Sequence, residues 1–196
     1  MIHHPPQRLA ILVCLCGFLL SGETLPAAQA GTEKAGVWLD VPFIQQEKDG
    51  CGAAVMAMVM QYWERQRVSS PEAPVRSIAS SAAHIQHELY SRQAHGIYAS
   101  AMEGYLKKHG YQTFTFIGTH DDLKQHLAKG RPLIVALKPA PGEKALHYAV
   151  VVGVDWERRL VLLNDPAEKK LLNVDVAEFD KQWKAVRNWT LLALPE

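Results

Sequence analysis

Residues 51–66 read CGAAVMAMVMQYWERQ. Alanine, methionine and valine dominate, no proline interrupts, and after Gly52 the first polar side chain is Gln61. A run that is apolar around its whole circumference predicts a helix buried on most sides. The helix opens on Cys51 or one residue later. A thiol at that position sits among amides that lack intrahelical acceptors, and their partial positive charge favours a thiolate. The methionine-rich stripe reads as core.

Upstream, residues 45–50 (QQEKDG) form a polar loop ending in glycine. Residues 38–44 (WLDVPFI) read as a short extended segment, with Pro42 arguing for an edge or irregular strand. Residues 31–37 (GTEKAGV) read as a disordered lead-in. Further back, Arg8 precedes the uncharged apolar run Leu9–Leu20, and Ala28-Gln29-Ala30 follows. A basic residue, a short apolar core and an A-x-A site predict a signal peptide over residues 1–30, cleaved after Ala30. The apolar run is short for a bilayer span. Of the three cysteines, Cys14 and Cys16 would leave with the peptide, so the exported chain would keep Cys51 alone. An unpaired thiol in an oxidising compartment asks for a chemical reason.

Downstream, residues 68–74 (VSSPEAP) break the helix, and amphipathic helices are expected near 74–91 and 98–109, the latter ended by Gly110. The pattern then changes. Residues 111–117 (YQTFTFI) alternate as a strand does. Thr119 is placed to cap a helix whose first turn carries Asp121 and Asp122. Strands are expected at 132–137, 147–154, 159–163, 171–174 and 189–194, with a helix over 175–184. Helices first and strands second predict one α+β domain over residues 38–196, its N-terminal helical part packed on an antiparallel β-sheet. The chain has 196 residues, 48% hydrophobic and 21% charged, with a formal net charge of +1. That length supports a real core, and the charge balance gives no reason to expect nucleic acid or an anionic membrane as partner.

Four residues form a constellation. Gln45 lies six positions before Cys51, His147 opens an apolar strand, and Asp165 follows another. Cys51 is the candidate nucleophile and His147 its base. Asp165 would hold the second imidazole nitrogen, and the Gln45 amide would donate to an oxyanion. Gln46 puts a second amide in the same loop, but the spacing favours Gln45. Gly52 would let a substrate backbone approach the sulfur. A three-residue turn at Asp155-Trp156-Glu157, with Val154 opposite Arg158, would bring His147 opposite Asp165 across a hairpin. His84, His87 and Glu88, with His95 nearby, lack the His-Glu-x-x-His spacing and read as a solvated helix face. Trp63, Trp183 and Trp189 are expected to pack helices onto the sheet.

The stretches VPFIQQEKDGCGAAVMAMVMQYW (41–63), HYAVVVGVD (147–155) and VLLNDPA (161–167) resemble the C39 peptidase family of papain-like bacterial cysteine peptidases. The resemblance runs from about Val41 to Leu194. It implies a papain-like fold, a peptide or protein substrate, and no metal or organic cofactor. It also implies Gln45 as oxyanion-hole residue, Cys51 as nucleophile, His147 as base and Asp165 as orienting acid. Transporter members of the family carry membrane and ATPase domains and cleave leader peptides on the cytoplasmic side. This sequence, with its signal-like start, points instead to a stand-alone, exported member in the periplasm or outside the cell. Two alternatives stay open: the same triad serving a transpeptidase, transglutaminase-like enzyme or amidase, and a secreted peptide-binding module without turnover.

Overall fold

The computed structural model describes Met1 and residues 36–67, 78–138 and 146–196. The chain divides into two units, 1–32 and 33–196. The region read as a signal peptide, residues 31–35 and the break at 68–74 lie outside the described residues.

The expected central helix is α1 (Cys51–Arg67), and every residue from Gly52 to Tyr62 is buried. Its polar tips find partners, as buried polar groups must. Gln61 Nε2 donates to the Ser80 carbonyl at 2.9 Å, and Tyr62 Oη donates to the Gly130 carbonyl at 2.9 Å. Trp63 Nε1 donates to the Ala193 carbonyl at 3.0 Å, pinning the helix to the C-terminal strand of the sheet. Between α1 and the strands lie a short 3-10 turn (Ile78–Ser80), α2 (Ala82–Leu89) and α3 (Ala99–Lys108). The helix expected near 74–91 is thus confined to its second half among the described residues.

The remaining elements are β2 (Tyr111–Ile117), α4 (His120–Ala128), β3 (Leu133–Leu137), β4 (His147–Asp155), β5 (Leu160–Asn164), β6 (Leu172–Asp175), α5 (Val176–Lys184) and β7 (Trp189–Pro195). Thr119 and Asp122 form a reciprocal capping box at α4, and Asp175 caps α5. The strands are ordered β2-β7-β3-β4-β5-β6, all antiparallel.

Side chains alternate across the sheet and feed two cores. Ile134, Tyr148, Val150, Val152 and Leu191 meet α1 and its neighbours on one face. Leu133, Val135, Ala149, Val151 and Leu163 meet α4 and α5 on the other. Burial on both faces explains why β3 and β4 read as continuous apolar runs rather than alternating ones. Trp183 belongs to the second core, while Trp63 and Trp189 pack against the first.

Two expectations are corrected. Gly36 and Val37, read as disordered, belong to β1 (Gly36–Trp38), which pairs with β4 as Gly36↔Asp155 and Trp38↔Gly153. The physical reason is an open edge: β3 stops pairing at Leu133↔Val151, and β1 takes up the last residues of β4. Gly153 makes room, since a Cβ there would lie 2.7 Å from the Val37 carbonyl oxygen. The hairpin register also differs. Val154 pairs with Val161, not Arg158, and a bulge between Val151 and Gly153 shifts the ladder before Val150↔Asn164. The turn is longer than three residues and passes through Arg159 at φ 56°.

Candidate active site

Cys51 stands at the first position of α1, and the Ala54 N–H closes the first helical turn on the Gly50 carbonyl at 3.0 Å. No acidic residue occupies that turn to neutralise the N-terminal partial charge. The thiol is free and partly exposed. Gly52 is fully buried and does not face the cleft: a Cβ there would lie 3.1 Å from Ile97 Cβ. The glycine lets the 91–97 loop close against the head of α1, so the expectation that it admits substrate backbone is replaced by a packing role.

His147 is the first residue of β4. Its Nε2 lies 2.8 Å from Asp165 Oδ1, with the two side chains 16% and 10% exposed. The contact does not come from the ladder, whose pairing with β5 ends at Val150↔Asn164. It comes from a turn immediately after β5. The Ala167 N–H donates to Asp165 Oδ1 at 2.9 Å, and the Glu168 N–H donates to the Asp165 carbonyl at 3.1 Å. Asp165 is therefore both turn starter and imidazole partner.

Burial works against a charge on His147. The hydrogen bonds and negative charge of Asp165 and Cys51 outweigh it and hold the imidazole pKa up at about 9. Burial likewise opposes ionisation of Asp165. His147 and the N–H groups of Ala167 and Glu168 outweigh it, so the carboxyl is held below its usual range. With Nε2 on Asp165, Nδ1 is the nitrogen left for the sulfur. Tyr148, the next residue of β4, is pushed up to about 12 by burial and by the charge at Cys51, and stays a neutral phenol.

Cys51, His147 and Asp165 line one cleft of about 450 Å³. Gln45 does not. It is exposed, its Nε2 is 3.4 Å from the Ala167 carbonyl, and it borders an adjoining depression with Ala53, Ala54 and Ala82. Gln46 lines the cleft instead, as well as that depression. Its backbone N–H donates to the Pro166 carbonyl at 2.9 Å, which ties the loop to the turn that carries Asp165. Its Oε1 is buried with no hydrogen-bond partner.

Two cleft residues and one buried residue beside the cleft were not singled out as site residues in the sequence. Asp49 and His95 both line the cleft, and both are non-glycine residues in the left-handed region, at φ 56° and 49°. Such strain concentrates at functional sites. No sequence pattern marks it, although the Asp49-Gly50 and His95-Gly96 pairs are turn signals. The third is Asn164, which is fully buried. Its Nδ2 donates to the Val41 carbonyl at 3.1 Å, and its Oδ1 accepts from the Leu171 N–H at 3.1 Å. It staples the segment leading to the nucleophile loop onto the end of the strand that leads into Asp165.

His84 pairs with Glu88 on an exposed face of α2 at 3.4 Å, and Lys108 joins the same carboxylate at 2.9 Å. Among the described residues, no group of three or more His, Cys, Asp or Glu side chains is placed to hold a metal.

A model of the Peptidase_C39 like family matches residues 38–190. No curated protein matches the sequence. Solved structures do. One is a C39-like peptidase from Bacillus anthracis, 17% identical, covering 82% of this chain and 98% of its own, with a TM-score of 0.62. Another is the peptidase domain of Streptococcus ComA, a bi-functional ABC transporter of a quorum-sensing pathway: 22% identity, 79% and 98% coverage, TM-score 0.57. A third is a double glycine motif protease from an AMS/PCAT transporter in complex with its leader peptide: 19% identity, 82% and 95% coverage, TM-score 0.56. The likeness fixes the fold as α+β and papain-like, with N-terminal helices packed on an antiparallel sheet.

Proposed function

The chain belongs to the Peptidase_C39 like family, and from that premise we propose that it is a cysteine-type peptidase acting through Cys51, His147 and Asp165. The observation that carries this reading is one imidazole held between a carboxylate and the only described thiol. An imidazolium of pKa about 9 beside a sulfur at a helix N-terminus is the arrangement of an activated thiolate.

The steps follow from the positions. The Cys51 sulfur attacks the substrate carbonyl carbon, and the electron pair of the C=O bond moves onto oxygen. The Cys51 N–H, a first-turn amide, and the Gln46 side-chain amide donate to that oxyanion. Gln46 takes this role in place of Gln45 because it lines the cleft, whereas Gln45 is exposed and borders the adjoining depression. His147 gives its proton to the leaving nitrogen as the C–N bond breaks, leaving an acyl-thioester on Cys51. His147 then takes a proton from water, whose oxygen attacks the acyl carbon; the C–S bond breaks and Cys51 leaves as the thiolate beside the imidazolium. Asp165 keeps Nε2 occupied, so that Nδ1 serves the sulfur throughout.

The substrate class is a peptide or protein. Residues 1–30 serve as an export signal, and the domain over 38–196 works outside the cytoplasm. Among the described residues no helix is long and apolar enough to cross a membrane.

Mass spectrometry of a peptide mixture, with Cys51→Ala as control, tests the reading. Cys51-dependent fragments carrying one added water are expected. Cross-linked or amine-exchanged products would reassign the enzyme as a transferase. No Cys51-dependent product would overturn catalysis.

A further inference from the structure

The strand order ends on β2 and β6, and the two ends are finished differently. β6 has four residues, carries Asn173 and closes on Asp175. β2 has seven, YQTFTFI, with no charge, proline or glycine, and it pairs with β7 in unbroken register. Edge strands in natural proteins are shortened, charged or bulged, because an open row of N–H and C=O groups is a template for pairing. β2 has none of these devices. Its outer edge has no strand partner among the described residues, and Phe114 and Ile117 are 47% and 72% exposed. We propose that β2 is the interface of a homodimer, pairing antiparallel with β2 of a second copy about a two-fold axis at Phe114.

The choice of a second copy rests on self-complementarity. With the axis at Phe114, Thr113 faces the partner subunit's Thr115, and Gln112 faces the partner subunit's Phe116. Threonine pairs and aromatic pairs are favourable across antiparallel strands, and here no charged residues are opposed.

Charge beside the edge selects the same arrangement. β2 and β3 both run antiparallel to β7, so α4 returns from the Ile117 end of β2 to its Tyr111 end. Asp121 and Asp122 in the first turn of α4 therefore mark the Ile117 end. Lys129 and Arg131, which follow the helix, mark the Tyr111 end. Two-fold pairing turns each acidic end toward the basic end of the other copy, whereas a parallel pairing would set like charges side by side. Between β2 and α4 runs an open groove of about 700 Å³, walled by residues 113–116, Leu192, Leu194, Asp122, His126 and Arg131. Directly opposed residues share a face of the sheet, so both copies present this groove on one side and the two Phe114 rings meet between them.

The interface lies away from the chemistry. β7 and β3 separate β2 from β4, and no residue of β2 lines the cleft of Cys51. The dimer therefore stands or falls independently of the peptidase reading.

Sedimentation across a concentration series, with hydrogen exchange at low and high concentration, tests the interface. The wild type is expected to pass from monomer to dimer. The outward amides of β2 are expected to exchange about tenfold more slowly or better in the dimer, with β6 unchanged. Phe114→Lys sets like charges across the axis and is expected to raise the dissociation constant by about tenfold or more, as is Phe114→Glu. A one-to-one mixture of the two variants is expected to restore the dimer, which misfolded variants could not do. Iodoacetamide labelling of Cys51 is expected to be unchanged in both. A wild type that stays monomeric at every concentration overturns the proposal and leaves the edge to an extended segment of another protein. A dimer whose β2 exchange ignores concentration, or a mixture that pairs no better than either variant alone, overturns it as well.

Discussion

The His147–Asp165 and His120–Asp180 contacts have nearly the same length, 2.8 and 2.7 Å, each from Nε2 to Oδ1. Around them the molecule differs. His147 and Asp165 are 16% and 10% exposed, and the sulfur of Cys51 faces the same imidazole. His120 is 40% exposed, lies against Trp156 and Trp183, and shares its carboxylate with Lys184 at 2.8 Å. Burial opposes ionisation of Asp180, and Lys184 and His120 outweigh it. The second pair ties the start of α4 to α5 and has no nucleophile to serve. A histidine–carboxylate contact by itself therefore marks nothing. Burial and a cleft shared with Cys51 separate the candidate site from the clasp.

The comparison breaks if the two histidines behave alike. His147→Ala should lower kcat/KM by 10⁴-fold or more, the scale seen when one member of a catalytic unit is removed. His120→Ala should leave kcat/KM within about twofold and destabilise by no more than ~1 kcal/mol, as expected of an exposed pair. Steady-state kinetics with chemical denaturation reads both.

The carboxylates extend the contrast to pH. His147 is raised from 6.5 to about 9 by its partners. Its contribution to stability is complete below its unfolded value and is lost as pH rises through about 9. Asp165 is lowered, so its contribution is present above the unfolded value near 3.8 and is lost as pH falls through its depressed folded value. Asp165→Asn should cut kcat by roughly 10²- to 10⁴-fold and move the alkaline limb of the rate profile below pH 9. Asp180→Asn should move neither.

A smaller contrast separates the adjacent amides. Gln46→Ala should reduce kcat by about 10²- to 10³-fold, as removal of an oxyanion donor does. Gln45→Ala should stay within a few-fold. Equal effects would remove the assignment. The smallest effect concerns position rather than chemistry: Asn164→Ala, which leaves the Val41 carbonyl and the Leu171 N–H unpaired, should destabilise by about 1–3 kcal/mol.

Much of this was legible before any coordinates. The uniform apolarity of residues 53–60 describes α1 because burial selects its residues position by position; the alternation of 111–117 marks β2, although Phe114 and Ile117 are exposed. Of the candidate site, the residues legible in the sequence were those with distinctive chemistry, Cys51, His147 and Asp165, which line one cleft. The rest depended on geometry that composition does not carry. β4 and β5 close their hairpin at Asp155↔Leu160 and Val154↔Val161, so the enclosed loop differs from the one that would set Val154 opposite Arg158, while Asp165 still reaches His147 from a turn. Gln45 and Gln46 are chemically identical. What separates them is position: Gln46 lines the cleft, while Gln45 is exposed and borders the adjoining depression. Asn164 reads as one more residue at a strand end until its two contacts are seen.

The central claim is that Cys51 and His147 form an ion pair supported by Asp165. The rate of Cys51 alkylation by iodoacetamide against pH, in the wild type and in His147→Ala, tests it directly. The account predicts fast labelling of the wild type at slightly acidic pH, where a free cysteine hardly reacts, and loss of that acidic reactivity in His147→Ala. Labelling that follows a free cysteine in both proteins would contradict it.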